Sequence, residues 1–192
     1  LENEFDLGIV KIDAGTISNT NIVPLEKKNL AQSSKNVTDD LLFIHGYPGK
    51  RSKSFNNIFT GVASNSLPYV TISGDHSYPW FDPISHIALD YPTEPQIGGH
   101  TLPDPHGLSG SPVWHIKHHS NWNSSEAKII GIVHNWDHKA KSLIATRIEV
   151  VRKFILKYLR QECAYFNWIS RGKPLGEDLT DWFYACNKIK KL

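Results

Sequence analysis

Short apolar runs of strand length alternate with turn-rich loops over most of the chain. The runs are rich in β-branched and aromatic side chains, and Gly, Pro, Asn and Asp stand between them, as at Gly46-Tyr47-Pro48-Gly49. This pattern predicts a mainly β fold, with strands in the ranges 6–12, 41–44, 69–72, 84–89, 113–116, 128–134 and 143–146.

The C-terminal part of the chain has a helical periodicity instead. Its apolar residues recur at the spacing of one helix face, at Val151, Phe154, Ile155, Tyr158 and Leu159. A loop containing Gly172, Pro174 and Gly176 interrupts the pattern, and a second, shorter helix is predicted to begin near 178–180. Many short strands followed by a terminal helix predict a β-barrel or sandwich that a helix caps.

The charge balance argues against a protein built mainly to bind phosphates. The chain has 21 basic and 19 acidic side chains, a net charge of +2, whereas nucleic-acid-binding domains are strongly basic. The longest apolar run, around 129–133, is far shorter than a bilayer-spanning segment. We therefore expect neither a nucleic-acid partner nor a membrane partner.

Segment 106–112 carries the clearest chemical signal. It reads His-Gly-Leu-Ser-Gly-Ser-Pro and leads directly into the predicted strand 113–116. A nucleophilic hydroxyl needs small neighbours, because the backbone must approach the substrate carbonyl so that two amides point at the developing oxyanion. Ser109, with Gly107 and Gly110 on either side, meets this requirement. A plain Gly/Ser/Pro turn is the alternative interpretation.

The segment Gly-Leu-Ser-Gly-Ser-Pro (107–112) resembles the nucleophile motif of chymotrypsin/trypsin-like serine peptidases of the bacterial type. Segment 129–134 is similar to the strand that follows this motif in the family, and 6–12 is similar to the strand that carries the triad aspartate. The resemblance implies a chymotrypsin-like double β-barrel, of which this chain would hold the second barrel and the last strand of the first. It implies a peptidase domain over 1–162, ending in a C-terminal helix, and a C-terminal helical extension, or tail, over 163–192.

The same resemblance implies catalytic roles for three residues. Ser109 would be the nucleophile, and the backbone N–H groups of Gly107 and Ser109 would form the oxyanion hole. Asp6 would orient the catalytic imidazole. The implied activity is that of a serine endopeptidase that hydrolyses peptide bonds through an acyl-enzyme on Ser109, with no cofactor and no metal.

Residues of the substrate-binding edge follow in the same way. His134, Asn135 and Trp136 would pair with the substrate backbone by strand addition, and Asp104 would line the pocket for the substrate side chain. The implied partners are a protein or peptide substrate and other domains of a larger protein.

One feature departs from the family pattern. The general base of these peptidases is a histidine upstream of the triad aspartate, and no histidine precedes Asp6. His106 is too close to Ser109 in sequence to adopt the family geometry. Because the first residue is Leu1 rather than Met, we expect the base to lie in a preceding segment. A catalytically inactive, peptidase-like module that binds a protein partner is the alternative function.

Two further alternatives rest on histidines. The segment His45-Gly46-Tyr47-Pro48-Gly49 resembles the oxyanion loop of α/β-hydrolase esterases, but their nucleophile elbow needs Gly-x-Ser-x-Gly and position 111 is Ser. A metal site would need histidines that approach one another across a hairpin, with no HExxH motif to support it. Its candidates are His115, His118, His119, His134 and His138.

Overall fold

The computed structural model describes residues 6–18, 24–35, 41–46, 52–55, 58–62, 65–70, 72–73, 76–91, 102, 104–116 and 126–190. The strands within these ranges are β1 (Leu41–Gly46), β2 (Ser52–Phe55), β3 (Ile58–Val62), β4 (Asn65–Val70), β5 (Ile72–Ser73), β6 (His86–Asp90), β7 (Pro112–Ile116), β8 (Lys128–Asp137) and β9 (Ser142–Arg147). The α-helices are α1 (Ala14–Ser18), α2 (Ile148–Ser170) and α3 (Asp178–Lys188), and a 3₁₀ turn covers Lys27–Asn29.

Seven of these strands form one antiparallel sheet in the order β4-β1-β7-β8-β9-β6-β5, and β2 pairs with β3 in a separate hairpin. The ladders of the described residues run from β4 at one edge to β5 at the other and do not close into a barrel. The two edge strands are nevertheless consecutive in the chain, because only residue 71 separates them. The structure thus contains a mainly antiparallel β-sheet followed by helices, as the coarse prediction has it, but the described strands do not confirm the chymotrypsin-like double β-barrel.

Apolar side chains of four strands of the sheet form its core. The fully buried side chains on β1, β6, β8 and β9 include Leu42, Ile44, Ile87, Leu89, Ile130, Val133, Leu143 and Ile144. On β7 burial alternates, with Val113 and His115 turned inward. This core holds β1, β7 and β8 in register and thereby supports the loop that precedes β7.

Most of the predicted strands are confirmed with shifted ends, but the strand predicted at 6–12 is wrong. Residues 6–13 form no regular element, Val10 and Ile12 are exposed, and Asp6 has φ 48°, in the left-handed region that strands do not use. A β-branched run forms a strand only beside a pairing partner, and the described part of the unit that holds this segment contains no strand.

The chain divides into two compact units, and each is described by itself. Residues 25–149 hold all of the described strands, and residues 1–24 with 150–192 hold α1, α3 and nearly all of α2. The boundary predicted between 162 and 163 falls inside α2, which continues to Ser170. None of the described helices is both long and apolar enough to cross a membrane.

Buried polar contacts join α3 to the end of α2. Asp181, almost fully buried on α3, accepts hydrogen bonds from Asn167 (2.6 Å) and Arg171 (3.1 Å). The α2 helix ends in a Schellman motif at Gly172, whose φ of 81° suits glycine. Cys163 and Cys186 are free thiols and form no disulfide.

Glu149 makes the stability of the sheet unit sensitive to acid. Its carboxylate accepts hydrogen bonds from the Ser34 amide (2.8 Å), the Ser34 hydroxyl (2.9 Å) and the Ser33 hydroxyl (2.8 Å). Burial alone would raise the pKa of Glu149, but these bonds outweigh it and hold the pKa below its usual range. The carboxylate therefore stabilises the fold above its unfolded pKa, and this contribution is lost as the pH falls towards the lower folded pKa.

We expect the free energy of unfolding to decrease between about pH 5 and pH 3 and this decrease to be smaller in Glu149→Gln. Urea unfolding at a series of pH values measures both. The matched control is Glu126→Gln, at an exposed position. An identical pH dependence in Glu149→Gln and wild type would contradict the assignment.

Candidate functional site

The loop that carries Ser109 consists of two consecutive type II β-turns. The first is closed by a hydrogen bond from the Leu108 amide to the Pro105 carbonyl (3.0 Å) and the second by one from Ser111 to Leu108 (2.9 Å). Gly107 (φ 92°) and Gly110 (φ 87°) occupy the third positions, where a type II turn requires positive φ. The glycines at this spacing therefore shape the loop, besides leaving room around the serine.

Two backbone amides of this loop are available to a ligand. Along 106–111, the amides of His106, Leu108, Gly110 and Ser111 each donate a hydrogen bond within the protein. In the part of the chain that the structure describes, the N–H groups of Gly107 and Ser109 have no acceptor. These are the two donors that the family resemblance implies for an oxyanion hole, and both residues are exposed.

Strand β8 holds the loop on its other side. The Gly110 amide donates to the Val133 carbonyl (2.7 Å), and the Val133 amide donates to the Ser111 carbonyl (2.9 Å). The Ser109 hydroxyl donates to the carbonyl of the next residue, His134 (3.3 Å). The nucleophile candidate is thus brought to the point where β8 extends beyond its pairing with β7.

His134 is the extra residue of a β-bulge. The ladder between β8 and β9 passes from Val133↔Ala145 to Asn135↔Ile144, so His134 has no counterpart on β9. A bulge turns its side chain and carbonyl away from the regular alternation. Here the carbonyl receives the Ser109 hydroxyl, and the imidazole packs against other rings.

The end of β1 lies directly against the serine loop. A Cβ atom placed on Gly46 would stand 2.0 Å from Ser111 Oγ, 3.0 Å from Ser111 Cβ and 3.1 Å from Leu108 Cδ2. Leu108 is fully buried and Ser111 nearly so. Close packing against a glycine therefore fixes the height of the loop above the core.

Asp104 lies on the same loop as Ser109. One of its carboxylate oxygens contacts Nδ1 of the exposed His106 and accepts the His106 amide (3.1 Å). Asp104 also lies near Tyr91, where burial raises the pKa of the phenol and the carboxylate charge raises it further. The role implied for Asp104, lining the pocket for the substrate side chain, stays a prediction.

Asn135 and Trp136 follow His134 on β8 and are half-buried. The Trp136 carbonyl accepts a hydrogen bond from the Tyr78 hydroxyl (3.0 Å), and the Trp136 amide donates to the Asn135 side chain (2.7 Å). These two main-chain groups are already engaged. A substrate strand that pairs at Trp136 has to displace those contacts.

Asp6 belongs to the other compact unit, where it is exposed. The role implied for it, orienting a catalytic imidazole, stays a prediction.

The two histidine-based alternatives gain no structural support. An α/β-hydrolase needs a parallel sheet, whereas every ladder among the described strands is antiparallel. Of the metal candidates, His115 is buried in the sheet, and His118 and His119 lie outside the described residues, as do 47–49 of the loop after His45. No group of three potential metal ligands occurs among the residues that the structure describes.

Sequence reasoning missed a cluster of four rings beside the serine loop, formed by Trp80, Phe81, His86 and His134, which we call the ring cluster. His86 lies 5.4 Å from His134, 5.5 Å from Trp80 and 5.7 Å from Phe81, measured between ring centroids. Trp80 also contacts His134 at 5.7 Å. The density of aromatic and histidine residues in 76–86 is the signal that could have indicated it.

Comparison of the chain with protein-family models, with curated proteins and with solved structures finds no match in any of the three.

Proposed function

We propose that Ser109 is the nucleophile of a serine peptidase with the chymotrypsin-like fold, and that it acts by acyl transfer. The observation that carries this proposal is the arrangement of the serine loop. The exposed Ser109 hydroxyl is accompanied by two amides, those of Gly107 and Ser109, that have no acceptor among the described residues.

The chemistry follows from these groups. The Ser109 oxygen attacks the substrate carbonyl carbon and gives a tetrahedral intermediate, whose oxyanion the two N–H groups receive. The C–N bond then breaks, the amine leaves with the proton that the general base took from Ser109, and the acyl group remains as an ester on Ser109. Water hydrolyses the ester and restores the hydroxyl. A general base must take the Ser109 proton, and it would replace the His134 carbonyl as the acceptor of that hydroxyl.

The order of the strands supports assignment to the second barrel of this fold. If β4 and β5 are counted together, the pairing order becomes the cycle β4/β5-β1-β7-β8-β9-β6, in which every member pairs with two others. Such a cycle is the strand order of a closed six-stranded Greek-key barrel. The serine loop then leads into β7, and its carbonyl and amide contacts are made to β8.

The test is reaction of the full-length protein containing this chain with a fluorophosphonate, followed by mass spectrometry of the modified peptide. We expect the label on Ser109, retained in Ser111→Ala and lost in Ser109→Ala, because removal of the nucleophile eliminates covalent catalysis. Ser111 is a matched control two positions away. An intact, folded protein that takes no label would overturn the proposal and favour the inactive, partner-binding module.

A further inference from the structure

His86 is a nearly buried residue that the proposed mechanism does not use. It opens β6, its side chain is among the least exposed polar groups of the sheet unit (5% exposed), and its ring lies between those of Trp80, Phe81 and His134. The Asp82 amide donates a hydrogen bond to His86 Nδ1 (3.1 Å). Nδ1 is therefore an acceptor, which is the role of a neutral imidazole protonated at Nε2.

Its surroundings favour this neutral form. Burial lowers the pKa of His86, and the positive charge of Arg147 at the end of β9 acts in the same direction. The Asp82 carboxylate and a hydrogen bond with the Asp82 backbone raise the pKa of His86, but burial outweighs them. That carboxylate accepts hydrogen bonds from the Ser85 hydroxyl (2.7 Å) and the Ile84 amide (2.9 Å). Among the described residues, the imidazole of His134 on β8 is a further titratable group against His86, and His76 stacks on Phe81 of the ring cluster (4.0 Å between centroids).

We propose that His86 is a positioning residue for Ser109: as a neutral ring it holds the His134 side chain, and with it the bulge whose carbonyl receives the Ser109 hydroxyl. Loss of that support on protonation of His86 lowers the reactivity of Ser109. This inference rests on the proposed function, because it concerns the nucleophile assigned there.

The physical link runs through one residue. A proton on Nδ1 would face the Asp82 N–H, so a donor would meet a donor, and a buried cation would gain Arg147 as a like-charged neighbour. Burial therefore makes the protonated ring less stable than the neutral ring in its position in the ring cluster. The imidazole of His134 then loses its packing against His86. With that packing goes part of the support for the bulge, whose carbonyl accepts the Ser109 hydroxyl. A displacement of about 1 Å at a reacting group costs on the order of 10²-fold in rate.

The sign of the pH effect follows from the lowered pKa. A histidine that stays neutral in the folded protein contributes stability above its unfolded pKa of about 6.5, and this contribution is lost as the pH falls below that value. Protonation of His86 thus works against the folded ring cluster on the acid side. The general base also becomes protonated there, so two separate protonations reduce the reactivity of Ser109.

The first measurement is the rate constant for fluorophosphonate labelling of Ser109 in the full-length protein from pH 5 to pH 8.5. In wild type we expect the logarithm of this rate constant to fall with decreasing pH on the acid side of the profile, with a slope that approaches two per pH unit. His86→Phe keeps a ring of similar size without a titrating group, so the acid side of its profile should have a slope near one. His138→Gln, an exposed position in the turn after β8, should keep the wild-type slope.

A second measurement separates this inference from the proposed function. The imidazole resonances of His86 and His134 are followed by NMR against pH in Ser109→Ala and in Ser109→Ala with His86→Phe. We expect the chemical shift of His134 to change at the pH at which His86 is half protonated. This change should be absent in the double variant. If Ser109 never labels but this response is present, the proposed function fails and the coupling stands. If His134 titrates identically with and without His86, the inference is overturned.

If His86→Phe does not fold, the wild-type protein still allows a direct test. The pH midpoint of the His86 resonance should then coincide with the second protonation in the labelling profile. Midpoints more than about one pH unit apart would contradict the inference.

Discussion

Alanine at position 107 is expected to slow the reaction of Ser109 with a fluorophosphonate by about 10²–10³-fold, the usual effect of losing one oxyanion donor. Gly107 has φ 92° at the third position of a type II turn. An L-residue is strained there and favours a type I turn, which reverses the peptide between 106 and 107. That peptide contains the Gly107 N–H, so the donor turns away from the site.

The control variant has to place an alanine at a position of positive φ that lies outside the serine loop. Gly176→Ala introduces a side chain at φ 76° in the loop before α3, where no atom lies within 4 Å of the new Cβ. Both variants should lose about 1–2 kcal/mol of unfolding free energy, measured by urea denaturation, and only Gly107→Ala should lose reactivity. Labelling of Gly107→Ala at the wild-type rate would show that this amide is not an oxyanion donor.

The serine loop could be recognised in the sequence because the residues that shape it are close neighbours in the chain. Glycines three residues apart, at 107 and 110, meet the φ requirement of consecutive type II turns, and Pro112 opens the next strand. The strands around it were also predictable, since a buried strand leaves a compact apolar run such as 143–146. The start of α2 followed from its apolar stripe, although its length through Ser170 did not.

Features that depend on distant pairing were not predictable. The run 6–12 has the composition of a strand but no regular element, because composition does not supply a partner strand. The hairpin of β2 and β3 was missed, since β2 (Ser-Lys-Ser-Phe) is mostly polar and Gly61 interrupts the short apolar run of β3. The bulge at His134 and its contact with His86 depend on the register between β8 and β9 and on the loop before β6. No spacing within one segment encodes these contacts.

Gly46→Ala is expected to lower the free energy of unfolding by about 1–3 kcal/mol, the range for forcing an extra methyl group into a packed interior. The new Cβ would lie 2.0 Å from Ser111 Oγ and about as close to Leu108 Cδ2 as to Ser111 Cβ (3.1 and 3.0 Å). Neither neighbour has free space, because Leu108 is fully buried and Ser111 is 6% exposed. The loop itself must move away from β1.

Movement of the loop should also reduce the reactivity of Ser109. The Gly110–Val133 and Val133–Ser111 hydrogen bonds hold the loop on β8, so a push from β1 strains the contacts that position the hydroxyl and the two free amides. We expect fluorophosphonate labelling to slow by on the order of 10²-fold, as a displacement of about 1 Å does elsewhere. Gly8→Ala, at a position with no atom within 4 Å of the new Cβ, should change stability by less than about 0.5 kcal/mol and leave labelling unchanged.

A double variant distinguishes this clash from a general effect of alanine on β1. Ser111→Ala removes the atom that lies 2.0 Å from the new Cβ and leaves the backbone contacts of the loop in place. Added to Gly46→Ala, it should recover more than half of the lost stability and most of the reactivity, a positive coupling of about 1 kcal/mol in the cycle. Additive losses would mean that Gly46 does not fix the height of the serine loop, and the oxyanion geometry would then depend on β8 alone.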